Sequence, residues 1–256
     1  MQFDIEIVSK SGKKIGLLIV ENSESPILTV IDIPGGFVET KEKTAQNNAE
    51  LIVFCKKQQI NYATLDFSNN GKYVDQPVNE LRFSHRIKDL ESTVDYLNSK
   101  YKSNVVLLGS SLGGFVTLNT GNYLSIIKGL ILNCAAVSAH LCIKEGIAPK
   151  EFATWKENKL AMVWGVPFPY DFYHDLKKFD AMKVISTINK PILWFHGTDD
   201  TTVPIAQARE ATRLNPQIQL VEVQGGGHRF GNEMQPGAWE RKVEQFIQSL
   251  MKDSNS

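Results

Sequence analysis

Apolar and polar residues alternate along Phe3–Val8, and Ile15–Val20 is a second β-like run. Ser11-Gly12-Lys13 between them has turn chemistry, so the two predict an antiparallel hairpin. Ile27–Ile33 predicts a third strand, closed by Pro34-Gly35-Gly36-Phe37. Leu51, Ile52, Phe54 and Cys55 recur at helical spacing and predict a helix over Thr44–Gln58. Tyr62–Phe67 predicts a short strand running into a polar loop, Ser68-Asn69-Asn70-Gly71-Lys72-Tyr73. Asn79–Lys100 reads as a long helix, with Leu81, Ile87, Leu90, Val94 and Leu97 on one side. Val105–Leu108 is a continuous apolar run, the signature of a strand buried on both faces. Strands are further predicted at Lys128–Cys134, Ile192–Phe195 and Ile218–Val223, and helices at Ala206–Leu214 and Trp239–Leu250. The tail from Lys252 is polar.

Strands that alternate with helices after an opening hairpin imply a mostly parallel, eight-stranded sheet with helices on both faces. One stretch breaks the alternation. Residues 135–180 are too long for an ordinary connection and rich in aromatics, among them Phe152, Trp155, Trp164, Phe168, Phe172 and Tyr173. This stretch is expected to be a cap inserted into a core of residues 1–134 and 181–256, with Trp155, Trp164 and Phe168 as substrate contacts.

Composition narrows the class. The chain has 256 residues, enough for one large α/β domain with an insertion. Twenty-eight basic and 28 acidic residues cancel, so nothing favours nucleic acid or an acidic membrane surface as partner. No apolar run approaches the length of a membrane span. Met1–Glu6 carries acids where a signal peptide has a basic region, and no apolar segment follows, which predicts a cytoplasmic protein. Cys55, Cys134 and Cys142 are odd in number and lack metal spacing, as expected of reduced, buried thiols. The pattern does not distinguish a monomer from a homodimer.

The candidate chemistry lies where strands end. Gly109-Ser110-Ser111-Leu112-Gly113 fits G-x-S-x-G, in which a serine sits on a sharp strand-to-helix turn. That turn brings the backbone close to both neighbouring elements, so positions two before and two after the serine must be very small. Only Ser111 has glycine at both, which sets the register against Ser110. After the Ile192–Phe195 strand comes His196-Gly197-Thr198-Asp199-Asp200-Thr201-Thr202-Val203-Pro204. After the last strand comes Gly225-Gly226-Gly227-His228. In an open α/β sheet, such strand ends lie along one edge, where ligands bind. Of the five histidines only His228 follows Asp200, on a glycine-flanked loop. His196, at a strand end, is expected to be a structural turn residue. No histidine pair has metal-ligand spacing, so neither a metal nor another cofactor is expected.

The elbow, the H-G-x-x-D-x-x-V-P segment and the late G-x-x-H together resemble the α/β-hydrolase superfamily across almost the whole chain. Gly36-Phe37 ahead of a Lys-rich helix start resembles the H-G-F segment of cinnamoyl and feruloyl esterases. Leu65-Asp66-Phe67-Ser68-Asn69-Asn70-Gly71 is similar to their D-F-x-G-x-G loop, and the cap sits where theirs does. Gly35 stands where those esterases carry histidine, and Asn69 where glycine is usual.

The resemblance implies an α/β-hydrolase fold and a Ser111–His228–Asp200 triad. Counting from His196-Gly197 and from Val203-Pro204 selects Asp200 over Asp199. The oxyanion donors would be the backbone N–H groups of Leu112 and Phe37, with Gly36 beside the substrate. The expected function is a serine esterase acting on a small-molecule carboxylic ester, with a small to medium, aromatic or apolar group suited to the cap. A peptidase, thioesterase or acyltransferase would use the same triad. A non-catalytic binding protein that kept the fold is the reading from another class.

Overall fold

The computed structural model describes residues 1–36, 39–68, 80–120, 125–163, 166–230 and 233–253. The expected oxyanion donor Phe37, the cap residue Trp164 and most of the polar loop after Phe67 lie outside these residues.

The hairpin β1 (Gln2–Val8) and β2 (Lys14–Val20) opens the chain. It is followed by β3 (Leu28–Ile33), β4 (Asn61–Asp66), β5 (Asn104–Ser110), β6 (Ile127–Asn133), β9 (Ile192–Gly197) and β10 (Ile218–Val223). These eight strands form one sheet in the order β1-β2-β4-β3-β5-β6-β9-β10. β1 and β2 pair antiparallel, β2 joins β4 antiparallel, and the remaining neighbours are parallel. A second, two-stranded sheet of β7 (Leu160–Val163) and β8 (Val166–Pro169) lies inside the inserted stretch and was not anticipated from the sequence.

Side-chain alternation explains why the central strands read as unbroken apolar runs. On β5, Val105 and Leu107 enter one core, while Val106 and Leu108 enter the other. The first core contains α3 (Phe83–Tyr101), α4 (Leu112–Thr120), α8 (Ala181–Ile185), α9 (Ala206–Leu214) and the aromatics of the inserted stretch. The second is closed by α2 (Ala49–Lys57) and α10 (Ala238–Asp253), through Leu51, Phe54, Cys55, Val243, Ile247 and Leu250. Among the described residues, no helix is long and apolar enough to cross a membrane.

Two helices differ from the sequence reading. The helix expected over Thr44–Gln58 is two pieces, α1 (Lys41–Asn47) and α2, broken at Asn48. The start moves to Lys41 because Thr40 caps it, accepting from the Lys43 N–H. The break has a polar cause: the Asn48 side chain donates to Asp32 Oδ2 at 2.7 Å and leaves regular helical geometry to do so. The long helix α3 begins at Phe83, where the Ser84 N–H is taken by the Asp175 carboxylate at 2.7 Å. Asp175 lies on α7 (Tyr170–Leu176), so an acid of the inserted stretch caps a helix of the core.

Candidate active site

The elbow is built by steric exclusion. β5 ends at Ser110, Ser111 adopts a left-handed φ of +52°, and α4 starts at Leu112. A Cβ on Gly109 would lie 2.8 Å from both the Gly113 carbonyl and Gly114 Cα. One on Gly113 would lie 2.5 Å from the Ile33 carbonyl and 2.9 Å from the Pro34 carbonyl carbon. No side chain fits at either point. A positive φ costs a non-glycine residue roughly 1–2 kcal/mol, so the flanking contacts must hold Ser111 in place. They do: its N–H donates to the Asn133 carbonyl at 2.9 Å, and its own carbonyl accepts from Phe115 and Ala136 N–H at 3.2 and 3.3 Å. The close packing also accounts for Gly35: a Cβ there would meet the Ser110 oxygen at 3.0 Å and Ser111 Cβ at 3.2 Å.

The other two candidate residues arrive on loops after β9 and β10. His228 Nδ1 lies 2.8 Å from Asp200 Oδ2, and its Nε2 lies 2.9 Å from Ser111 Oγ. An ionised Asp200 can only accept, so Nδ1 carries the proton and Nε2 is left to accept from the Ser111 hydroxyl. Asp200 Oδ1 accepts from the Thr202 and Val203 N–H groups at 2.9 and 2.8 Å. Burial alone would raise the Asp200 carboxyl, but hydrogen bonds from His196, His228 and the Val203 N–H hold it well below the usual carboxylate range. It is therefore a fixed negative charge at neutral pH. Asp199 is exposed and holds the turn, its N–H donating to Gly226 O at 2.9 Å and its carboxylate accepting from Thr198 Oγ1.

His196 does more than the turn role expected of it. Trp194 Nε1–H donates to its Nδ1 at 3.2 Å, which places the ring proton on Nε2. That N–H donates to the Val203 carbonyl at 2.8 Å and lies 3.4 Å from Asp200 Oδ2. A fully buried imidazole thus backs the acid. Cys134, His196 and Asp200 offer donor atoms within 4.8 Å of one another, yet these are engaged otherwise. Asp200 and His196 spend theirs on the bonds just described, and burial pushes the Cys134 thiol up to about 12.

Ser111 and His228 open onto a cavity of about 1080 Å³. One wall comes from the loop after β3 and from α1–α2, including Gly35, Gly36, Glu39, Asn47, Asn48 and Glu50. The other comes from the chain after His228, with Phe230, Met234, Pro236 and Trp239 as its apolar part. Trp239 is fixed by its Nε1–H, which donates to Asn133 Oδ1 at 3.0 Å. The cavity floor includes Asp32, which accepts from Tyr62 Oη and Asn48 Nδ2, both at 2.7 Å. Burial raises the Asp32 carboxyl from 3.8 to about 7, against the pull of those two bonds.

Of the expected substrate contacts, Gly36 lines this cavity, while Trp155 and Phe168 do not. Both are buried within the inserted stretch, where Trp155 Nε1–H donates to the Phe168 carbonyl at 3.0 Å and the indole packs on Tyr173 at 4.8 Å. A tryptophan buried whole needs such a partner, and that bond turns it inward. Sequence reasoning missed Phe230, Met234 and Trp239. Met234 and Phe230 sit in a connection without periodicity, and Trp239 reads in the sequence only as the start of a helix.

Comparison with known proteins agrees with this architecture. Residues 75–254 match the model of the prolyl oligopeptidase family. No curated protein matches the chain. Among solved structures, the Pyrococcus furiosus esterase Pf2001 is similar at 22% identity and a TM-score of 0.72, over 98% of this chain and 93% of that one. Est1E from Butyrivibrio proteoclasticus is similar at 17% identity and a TM-score of 0.78, over 98% and 99%. Est1E with ferulic acid bound superposes with a TM-score of 0.79 at 16% identity, over 97% and 99%. At such identities the likeness is one of fold. The family match spans more than two thirds of the sequence and includes the elbow and both later loops, so this chain belongs to the prolyl oligopeptidase family, within the α/β-hydrolase superfamily.

Proposed function

We propose that this protein is a serine esterase that hydrolyses carboxylic esters with small to medium acyl or alcohol groups through a Ser111–His228–Asp200 triad. The observation that carries the reading is the hydrogen-bonded relay from Asp200 through His228 to Ser111 Oγ at the mouth of an open cavity. His228 Nε2 takes the Ser111 proton as Oγ attacks the ester carbonyl, and Asp200 stabilises the imidazolium that forms. The tetrahedral oxyanion is met by the N–H of Leu112 and, from the loop after β3, that of Phe37. Leu112 opens α4, where backbone N–H groups have no partner within the helix and the helix dipole favours negative charge. His228 then returns its proton to the leaving alkoxide, and the alcohol departs. Water repeats the sequence on the acyl-enzyme, with His228 again as base, and releases the acid.

Support for an ester of mixed polarity comes from the cavity walls, apolar on the Phe230–Trp239 side and polar on the α1–α2 side. Membership of the prolyl oligopeptidase family favours a second reading, hydrolysis of a peptide amide by the same groups. Paired nitrophenyl esters and peptidyl nitroanilides separate the two. The esterase reading expects ester turnover that Ser111→Ala abolishes and Ser110→Ala retains. Turnover of anilides alone would favour the peptidase, and labelling of a serine other than Ser111 by a fluorophosphonate would overturn both.

A further inference from the structure

The floor of the cavity beside Ser111 holds a carboxylate that the proposed triad leaves unused. Asp32 is 1% exposed and lines that cavity. Its hydrogen bonds from Tyr62 Oη and Asn48 Nδ2 both end on Oδ2, and both donors are neutral. Among the described residues Oδ1 accepts no bond, and no cation pairs with the carboxylate. Burial raises its pKa to about 7, and the nearby Glu39 charge adds to the rise. A buried carboxylate ordinarily has a cation beside it or donors on both oxygens. Tyr62 and Asn48 supply half of that. Among the described residues, Asp32 joins no group of three donor side chains that a resident metal ion would use.

We infer that Asp32 is an anionic subsite of this cavity and takes the ammonium group of a cationic ligand, in the first place an ester carrying an amine on its acyl or alcohol part. Calling that ligand an ester rests on the esterase reading above; the subsite itself does not. An ammonium can donate to Oδ1 while Tyr62 and Asn48 keep their bonds to Oδ2. It meets there a carboxylate whose attraction is strengthened by low-dielectric surroundings. The charges around the floor favour the same sign of ligand. Glu39 and Glu50 stand on the α1–α2 wall, while Arg229 and Glu240 on the facing wall cancel. The facing wall also suits the stem that an ammonium group rides on. Phe230, Met234 and Trp239 offer an apolar face there. Phe195 backs that face, its ring centroid 6.3 Å from that of Phe230 and 6.1 Å from that of Trp239. A cavity of about 1080 Å³ has room for both ends of such a molecule.

The test measures binding of hexylammonium and of hexanol to the whole protein by calorimetry at pH 8, above the Asp32 pKa. The two probes share one stem and differ in charge, and neither needs ester turnover to be read. Wild type is expected to bind the ammonium about tenfold more tightly than the alcohol, the effect of one charge-assisted bond net of desolvation. In Asp32→Asn that ratio should fall to near one, whereas Glu50→Gln, on the exposed rim, should keep most of it. Equal affinities in wild type overturn the inference, as does a ratio that survives Asp32→Asn. A ratio lost equally in Glu50→Gln also overturns it, since the preference then belongs to the wall as a whole. A second measurement needs no variant: the carboxyl carbon of Asp32, followed by NMR in wild type, should shift with hexylammonium and stay in place with hexanol. An unmoved signal with both probes sinks the proposal even where Asp32→Asn fails to fold. Nitrophenyl ester turnover and fluorophosphonate labelling of Ser111 read the esterase proposal separately. With both present and equal probe affinities, the subsite fails and the esterase stands. With neither present and a tenfold preference, the subsite stands as that of another cationic ligand.

Discussion

The sheet edge that carries Ser111, Asp200 and His228 and the stretch of residues 135–180 are held by opposite means. At the edge, main chain meets main chain: glycines at 109 and 113 admit contacts that any Cβ would block, and Ser111 keeps a left-handed φ of +52°. Charges are buried there too, on Asp32, Arg86 and Asp200. The inserted stretch is held by side chains. Trp155, Phe152, Tyr170 and Tyr173 pack ring against ring, and the one indole N–H in that group has its carbonyl partner. The edge therefore gives up stability for placement of reactive groups, while the inserted stretch contributes stability. Substitutions should sort accordingly: at the edge they remove activity or even add stability, and in the inserted stretch they remove stability alone.

The largest effect is expected from Asp200→Asn. The asparagine keeps the shape but no longer selects the His228 tautomer, so kcat should fall by about 10⁴. Asp199→Asn, in the exposed turn, should stay within threefold. Steady-state kinetics of the two side by side decide the matter, and a reversed order would break the assignment of the acid.

A smaller effect, of opposite sign for stability, is expected from Asp32→Asn. The Asp32 carboxyl titrates near 7 in the fold and near 3.8 as an unperturbed group, with burial as the main cause. Its contribution to stability is thus fully present below about pH 4 and is lost as pH rises through about 7. Asparagine can still accept from Tyr62 and Asn48 without carrying charge. The variant should gain about 1–3 kcal/mol over wild type at pH 8 and show a flatter pH dependence between 4 and 7, read from urea unfolding. Parallel curves for the two proteins would show that the buried carboxylate costs nothing.

The smallest effect should come from Trp155→Phe. It removes the indole N–H bond to the Phe168 carbonyl and shrinks a fully buried ring system, at a cost of about 1–2 kcal/mol. Ester turnover should remain within twofold, since Trp155 does not line the cavity at Ser111. A tenfold loss in kcat with unchanged stability would return this residue to the substrate site.

Much of the architecture was readable from local pattern. The eight strands follow from period-two and unbroken apolar runs, because a strand's burial is written in its own residues. The register at Ser111 was likewise local: the glycines two positions to either side state a steric requirement of the turn itself. The break at Asn48 was not readable, since its cause is a hydrogen bond to Asp32, sixteen residues earlier and on another element. The aromatic richness of residues 135–180 was visible, but not which way the rings face. An aromatic that shapes a pocket and one that fills a core look alike in sequence.

The sequence by itself determined the sheet, the turn at Ser111 and the order in which serine, acid and histidine come along the chain. Each of these depends on neighbours within a few residues or on the direction of successive strands. Only the tertiary structure decided that His228 stands between Asp200 and Ser111, that the cavity is walled by α1–α2 and the 230–239 stretch, and that Tyr62 reaches Asp32. Those are contacts between residues 28 to 117 positions apart, and distances of that kind are set by how helices and loops pack on the sheet.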